Sequence, residues 1–225
     1  LNEDFQPNVD AILNAVDENT KIIFLCSPNN PTGNSFTDSS VIKILNSFNG
    51  LVVLDEAYID FSEDQSWLSV LSDFPNLIIT QTLSKAYAMA GLRIGILYAS
   101  KPIISVLSKI KPPYNVNILS QETAEKKLLQ STLKAQVRKI LVEKEKLIVA
   151  LKSTKFIEKI FPSDANFILI KVDDANYRYQ QFLDNGVVVR NRSNQPLCEN
   201  CLRITIGNKE ENERVIELLK SFNNG

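Results

Sequence analysis

Histidine is absent from all 225 residues. Its absence excludes Ser-His-Asp and Cys-His nucleophile systems and any histidine-ligated metal site. A general base in this chain must therefore be Lys, Asp, Glu, Tyr or Cys. Cysteine is scarce, and its count of three is odd, which argues against a disulfide framework and fits a reducing compartment. Cys198 and Cys201 form a lone C-x-x-C. A zinc site needs about four ligands, and only Cys26 remains, so the pair reads as two ordinary thiols in a turn. No apolar run is long enough to span a bilayer, and no secretory signal opens the chain. The first residue is Leu1, which reads as a processed or truncated N-terminus. A net charge of −1 gives no electrostatic reason to expect nucleic acid or a membrane surface. Repeats and low-complexity segments are missing as well.

What is present is ordinary for a soluble globular protein: 44% hydrophobic and 23% charged residues, in a length suited to one large or two small domains. Val9, Ile12, Leu13 and Val16 give residues 1–20 a helical spacing. Lys21 to Cys26 reads as a buried strand, and Ser27 to Gly33 as a loop. A helix is expected over Thr37–Phe48, capped by Thr37 or Asp38. Further strands are expected at Leu51–Leu54, Leu77–Thr80 and Arg93–Ala99, with a helix or turn over residues 63–74 and a short helical turn over Ala86–Leu92. Strands alternating with helices imply βαβ units and a mostly parallel sheet. After Pro112-Pro113, apolar positions from Leu119 to Leu151 predict one long amphipathic helix over Val116–Leu151. Its Lys- and Glu-rich face reads as solvated, and the helix as a bridge between domains. The remainder reads as a small α+β domain: a strand Phe167–Val172, a helix Ala175–Asn185 with Gly186 after it, short strands at Val187–Val189 and Leu202–Ile206, and a closing helix Glu210–Phe222.

Three polar loops follow the first three strands. They hold Asn30 in Asn-Asn-Pro-Thr-Gly, Asp55 and Tyr58 in Asp-Glu-Ala-Tyr, and Ser84, Lys85 and Arg93 in the third. In a parallel sheet all three lie on one edge, where open α/β sheets bind ligands. An amine there can form a Schiff base with a carbonyl cofactor if it is held partly neutral, which needs burial and nearby positive charge. A carboxylate can keep a ring nitrogen protonated, a phenol and an amide can bond a ring oxygen, and a guanidinium with a hydroxyl can hold a phosphate. Taken singly, each has a plainer reading: Asn30 to Gly33 as a turn, Asp55 as a cap, Lys85 and Arg93 as surface residues, and Arg203 as a rim residue on a strand. Their joint occurrence, in this order, weighs against five coincidences.

These motifs resemble the fold-type I pyridoxal-phosphate aminotransferases, and among them the histidinol-phosphate aminotransferase family. The resemblance runs from about Lys21 to the C-terminal helix. It rests on Ser27-Pro-Asn-Asn-Pro-Thr-Gly33, Asp55-Glu-Ala-Tyr58, Thr82-Leu-Ser-Lys-Ala86, Ala90-Gly-Leu-Arg93 and Cys201-Leu-Arg-Ile-Thr-Ile-Gly207. It implies Lys85 as the catalytic, cofactor-bearing amine, Asp55 on the pyridine nitrogen, Tyr58 and Asn30 on the ring oxygen, and Ser84 and Arg93 on the cofactor phosphate. It further implies Asn30 beside the substrate, Arg203 on a substrate carboxylate and Arg190 on the substrate phosphate. The family often has Asp after that last arginine; here Asn191 and then Arg192 follow, leaving Arg190 and Arg192 as alternatives. Tyr114 is open between a pocket role and packing.

The implied reaction moves an amino group between L-histidinol phosphate and 2-oxoglutarate in histidine biosynthesis, with pyridoxal 5'-phosphate as cofactor and no metal. The resemblance also implies a cytoplasmic homodimer acting on small molecules, not on nucleic acid or membranes. Aromatic amino acid transfer, a threonine-phosphate decarboxylase-like activity, and a non-catalytic binding role are the alternatives. The implied division is a partial cofactor-binding large domain over 1–112, an interdomain helix over 113–151 and a small domain over 152–225. Family members carry a further N-terminal part, so this length alone is expected to bind the cofactor weakly and turn over poorly.

Overall fold

In a computed structural model of the chain, residues 1–130 and 132–223 are described. The backbone groups into two compact units, residues 1–29 with 35–133 and residues 30–34 with 134–225.

The first unit is built on strands β1 (Ile22–Cys26), β2 (Leu51–Asp55), β3 (Leu77–Thr82) and β4 (Gly95–Ala99), in that spatial order. The first three run parallel, and β4 returns antiparallel to β3. The sheet is therefore mixed, with three parallel strands and helices around them. Arg93 was expected to open β4. Instead it follows a 3-10 turn, Ala90–Leu92, with φ 56°, a left-handed conformation that no strand contains. Helix α1 covers only Val9–Asn14, capped by the Asn8 side chain, and α2 covers Asp38–Ser47. Val41, Ile44 and Leu45 of α2, spaced three and four apart, bury against Val52, Leu54, Leu77 and Ile79. Fully burying a side chain such as Ile44 contributes about 1.5–3 kcal/mol. A seven-residue 3-10 helix, Trp67–Asp73, closes the same face with Trp67, Leu68 and Leu71.

β1 is not the buried strand expected. Only Leu25 is buried, while Ile22 and Phe24 are exposed. An apolar run signals a strand but not how many of its faces are covered, and β1 stands at the edge of the described sheet. Helix α3 (Lys101–Ile110) was not anticipated. The single long helix expected over Val116–Leu151 is two helices, α4 (Ile118–Leu129) and α5 (Leu133–Lys152). Residue 131, inside that expected helix, lies outside the described residues, as do residues 224 and 225 of the expected small domain.

The second unit packs α5, α6 (Ala175–Asp184) and α7 (Lys209–Asn223) on an antiparallel sheet. Its strands are β5 (Ile157–Ile160), β6 (Phe167–Val172), β7 (Arg190–Asn191) and β8 (Cys201–Thr205), in the order β5-β6-β8-β7. Alternate residues Ile168, Ile170, Leu202 and Ile204 join Leu147, Leu151, Phe182 and Leu218 in its core. The strand expected at Val187–Val189 begins three residues later, because Val189 is spent on the core and pairing starts at Arg190 opposite Arg203. Gly186 follows α6 with φ 76°, the left-handed position that closes the helix. The polar face of α5 is not wholly solvated: Lys144 is 7% exposed and donates to the carbonyls of Ser163 and Ala165.

Candidate active site

β2 and β3 lie side by side with Asp55 opposite Thr80, so the loops beyond them leave one edge of the sheet. The Ser27 amide donates to the Asp55 carbonyl, which brings the β1 loop to that edge as well. The turn after β2 is set by Asp55 itself, whose carboxylate accepts the Ala57 amide at 3.1 Å. Capping and a ligand role are compatible here, since that bond occupies one lone pair of one oxygen. Tyr58 is buried, and the Lys85 ammonium stands 5.1 Å from its ring centroid, within cation–π range. Ser84 is fixed by Thr82, whose hydroxyl lies 2.9 Å from the Ser84 hydroxyl and accepts the Ser84 amide. The Leu83 amide and the Thr82 hydroxyl both donate to the Ile94 carbonyl, so Arg93 is held next to the Ser84 segment. The Arg93 guanidinium is exposed and donates to Ala90 of its own turn. Lys85 is exposed too; the burial that its expected role calls for does not come from the described residues.

The second unit holds the remaining expected residues. Arg203 on β8 donates through Nη1 to the Asn30 side-chain oxygen at 2.6 Å, and its guanidinium carbon lies 4.8 Å from the Phe167 ring centroid. The loop carrying Asn30 is anchored by Gly33, whose carbonyl accepts the Asp164 amide at 2.7 Å. Arg190 sits directly across from Arg203 in the β7–β8 register, so the two share a face of the sheet. Arg192 has the same parity, but it is half-buried with Nε unpartnered among the described residues; the Cys198 pKa beside it is lowered first by the bond with Cys201, the Arg192 charge adding least. Arg190 is the more exposed of the two alternatives. Tyr114 is 93% exposed, so it does not pack into the core of the described residues. Cys198 and Cys201 close a turn in which the Cys201 amide donates to the Cys198 carbonyl, and both thiols are free and buried. The thiol–thiol bond, with burial second, pushes the Cys201 pKa up.

One charged residue of this site was missed on sequence. Glu56 is 1% exposed, and its carboxylate accepts from the Ser66 hydroxyl at 2.5 Å, the Trp67 amide at 2.7 Å and the Gln81 side chain at 2.8 Å. The signal was available: Glu56 directly follows β2 and continues the parity of Val52 and Leu54, which faces the core. Nearby, burial first and the Glu56 charge second raise the Asp60 carboxyl above its usual range. Burial, with Asp60 and Tyr98, raises the Tyr87 phenol likewise.

Three parallel strands that bring a carboxylate, a phenol and an amine to the loops at one edge, beside helices, define an open α/β fold with a polar rim. The chain belongs to the aminotransferase class I and II family, whose profile matches residues 1–219, a family dependent on pyridoxal phosphate. It is 70% identical over 222 residues to a histidinol-phosphate aminotransferase of Flavobacterium psychrophilum, covering 99% of this chain and 64% of that relative. Among solved structures, it resembles the histidinol-phosphate aminotransferase of Clostridium acetobutylicum with a TM-score of 0.90 at 25% identity, covering 100% of this chain and 70% of that one. The enzyme of the same name from Sinorhizobium meliloti, in complex with pyridoxal-5'-phosphate, gives 0.85 at 25% identity, covering 99% and 63%. The chain thus spans about two thirds of the length of such relatives.

Proposed function

We propose that this chain carries the cofactor- and substrate-binding residues of a histidinol-phosphate aminotransferase, which moves an amino group between L-histidinol phosphate and 2-oxoglutarate. The observation that carries the reading is the Lys85 amine held against buried Tyr58 beyond three parallel strands, with Asp55 ending the middle one. The residues fit pyridoxal phosphate: Lys85 for its carbonyl, Asp55 for the pyridine nitrogen, Tyr58 and Asn30 for the ring oxygen, and Ser84 with Arg93 for the phosphate. When bound, the cofactor supplies a conjugated ring that takes up the electron pair left as the substrate's amino-bearing carbon loses its proton. Lys85 would hold the cofactor's carbonyl and would serve as the base that takes the proton from the substrate's amino-bearing carbon. Asp55, at the end of β2, is the side chain that would pair with the ring nitrogen and favour its protonated form. Arg203 offers a two-pronged donor to the carboxylate of the 2-oxo acid, with Asn30 orienting its fork. Arg190, on the same face, supplies charge for the phosphate of the other substrate. The 70% identical relative supports this choice of donor. The reading carries a homodimer and a cytoplasmic location, with residues 1–112 as cofactor domain, 113–151 as connecting helix and 152–225 as small domain.

Borohydride reduction of the chain with pyridoxal phosphate, followed by peptide mass mapping, tests the chemistry. The expected result is one reduced adduct, on Lys85, that vanishes in Lys85→Ala. Adduct on surface lysines at random would refute it. Amino transfer from histidinol phosphate, compared with aromatic amino acids and dependent on 2-oxoglutarate, tests the donor. Turnover should fall by about 10²–10⁴-fold in Lys85→Ala.

A further inference from the structure

We propose that Glu56 is the positioning residue of the cofactor edge: one buried carboxylate ties the loop carrying Asp55 and Tyr58 to the strand end leading into Ser84 and Lys85. This rests on the functional reading given above.

Glu56 sits between the two proposed cofactor contacts of its loop, and its side chain takes the core-facing parity of β2 while Asp55 takes the other. Its three donors come from two separate segments. Ser66 and Trp67 belong to the start of the 3-10 helix that covers the core. Gln81 belongs to β3, three residues before Ser84 and four before Lys85. Gln81 also reaches the Ser66 hydroxyl at 3.3 Å, closing a ring of Glu56, Ser66 and Gln81. The backbone repeats the link, since the Glu56 amide donates to the Thr80 carbonyl at 2.8 Å. Among the described residues no Lys or Arg bonds this carboxylate; neutral donors hold it. A buried carboxylate costs folding energy unless every bond is made, so it is an expensive choice for packing and a stiff one for registering two loops.

Three variants test the proposal. Glu56→Ala removes all three bonds. Gln81→Leu removes only the β3 arm and leaves the Ser66 and Trp67 bonds in place, so it remains informative if Glu56→Ala fails to fold. Glu56→Gln keeps the shape: its amide can donate to a flipped Gln81 side chain while its oxygen still accepts from Trp67. Amide hydrogen exchange on the cofactor-free chain is the first readout. Faster exchange is expected in Glu56→Ala both at residues 57–59 and at 83–84, and in Gln81→Leu at 83–84, with near-normal rates in Glu56→Gln. Faster exchange confined to residues 66–71 would overturn the proposal, because Glu56 would then merely cap the 3-10 helix. Affinity for pyridoxal phosphate, by absorbance titration, is the second readout. A loss of about 10- to 100-fold is expected in Glu56→Ala, a smaller loss in Gln81→Leu, and rescue in Glu56→Gln. Unchanged affinity in Glu56→Ala and Gln81→Leu would also overturn it. Failure of the unaltered chain to form the Lys85 adduct sinks the functional reading, and with it the claim that this tie serves a cofactor; the exchange result reports on the tie separately.

Discussion

Lys144 shows what a residue-level reading of sequence misses. On the helical spacing it belongs to a Lys- and Glu-rich face, which normally means solvent. In the fold its ammonium is buried and donates to the backbone of Ser163 and Ala165. Burial lowers its pKa from the ordinary 10.5, with Asp164 and Glu145 acting in opposition. Between the lowered folded value and 10.5 the unfolded chain binds more protons, so this group adds stability as pH rises through that window. Below the window the full cost of the buried charge is present. Lys144→Met removes the titration and leaves two carbonyls without their donor, a loss of about 1–3 kcal/mol each. Urea unfolding of both proteins should show the unaltered chain gaining on Lys144→Met as pH is raised toward 10.5. A pH-independent difference would refute the assignment. Lys85 and Asp55 could be singled out because they stand just beyond apolar strand runs, and Arg203 only through the resemblance of its motif. Lys144 and Glu56 were not singled out, because burial of a charged side chain depends on which backbone groups the fold happens to bring to it.

At the scale of elements, the sequence was most informative where apolar runs were short and bounded. β6 was placed residue for residue at Phe167–Val172, and α2, α6 and α7 within one or two residues. It misled where one periodicity ran across two elements. The apolar spacing through Leu128 and Leu133 continues without glycine or proline, yet α4 ends at Leu129 and α5 starts at Leu133. Thr132 stands just before α5, a residue type that competes with helix and favours caps. Loop geometry carries a prediction of its own. Gly33 has φ 87°, and a Cβ there would lie 2.6 Å from the Ser163 hydroxyl and 3.3 Å from the Ser163 Cα. Both the conformation and the contact demand glycine. Gly33→Ala should cost about 1–3 kcal/mol in unfolding free energy. Because the same loop presents Asn30 to Arg203, it should also weaken binding of a dicarboxylate more than binding of pyridoxal phosphate. Equal loss of both, or none, would separate that loop from the carboxylate site.

For the molecule as a whole, the alternation of strand and helix patterns gave the α/β class, but it could not say which strand stands at the rim of a sheet. That position has physical consequences. β1 is first in the order of the described sheet, so one side of it presents backbone donors and acceptors that pair with no described strand. Phe24 on it is 73% exposed and Ile22 45%. An exposed apolar edge strand is a template for pairing with another chain, and a net charge of only −1 offers little repulsion against it. Phe24→Glu removes the apolar side chain and takes the net charge from −1 to −2. Since Phe24 contributes little to the core, the unfolding free energy should change by no more than about 0.5 kcal/mol. Sedimentation velocity of the 225-residue chain should then show self-association at micromolar concentration in the unaltered protein and its reduction in Phe24→Glu. Undiminished association would locate the sticky surface elsewhere. A large loss of stability would mean that the Phe24 face is covered in solution, and the strand could not then be the free edge that the sheet order describes.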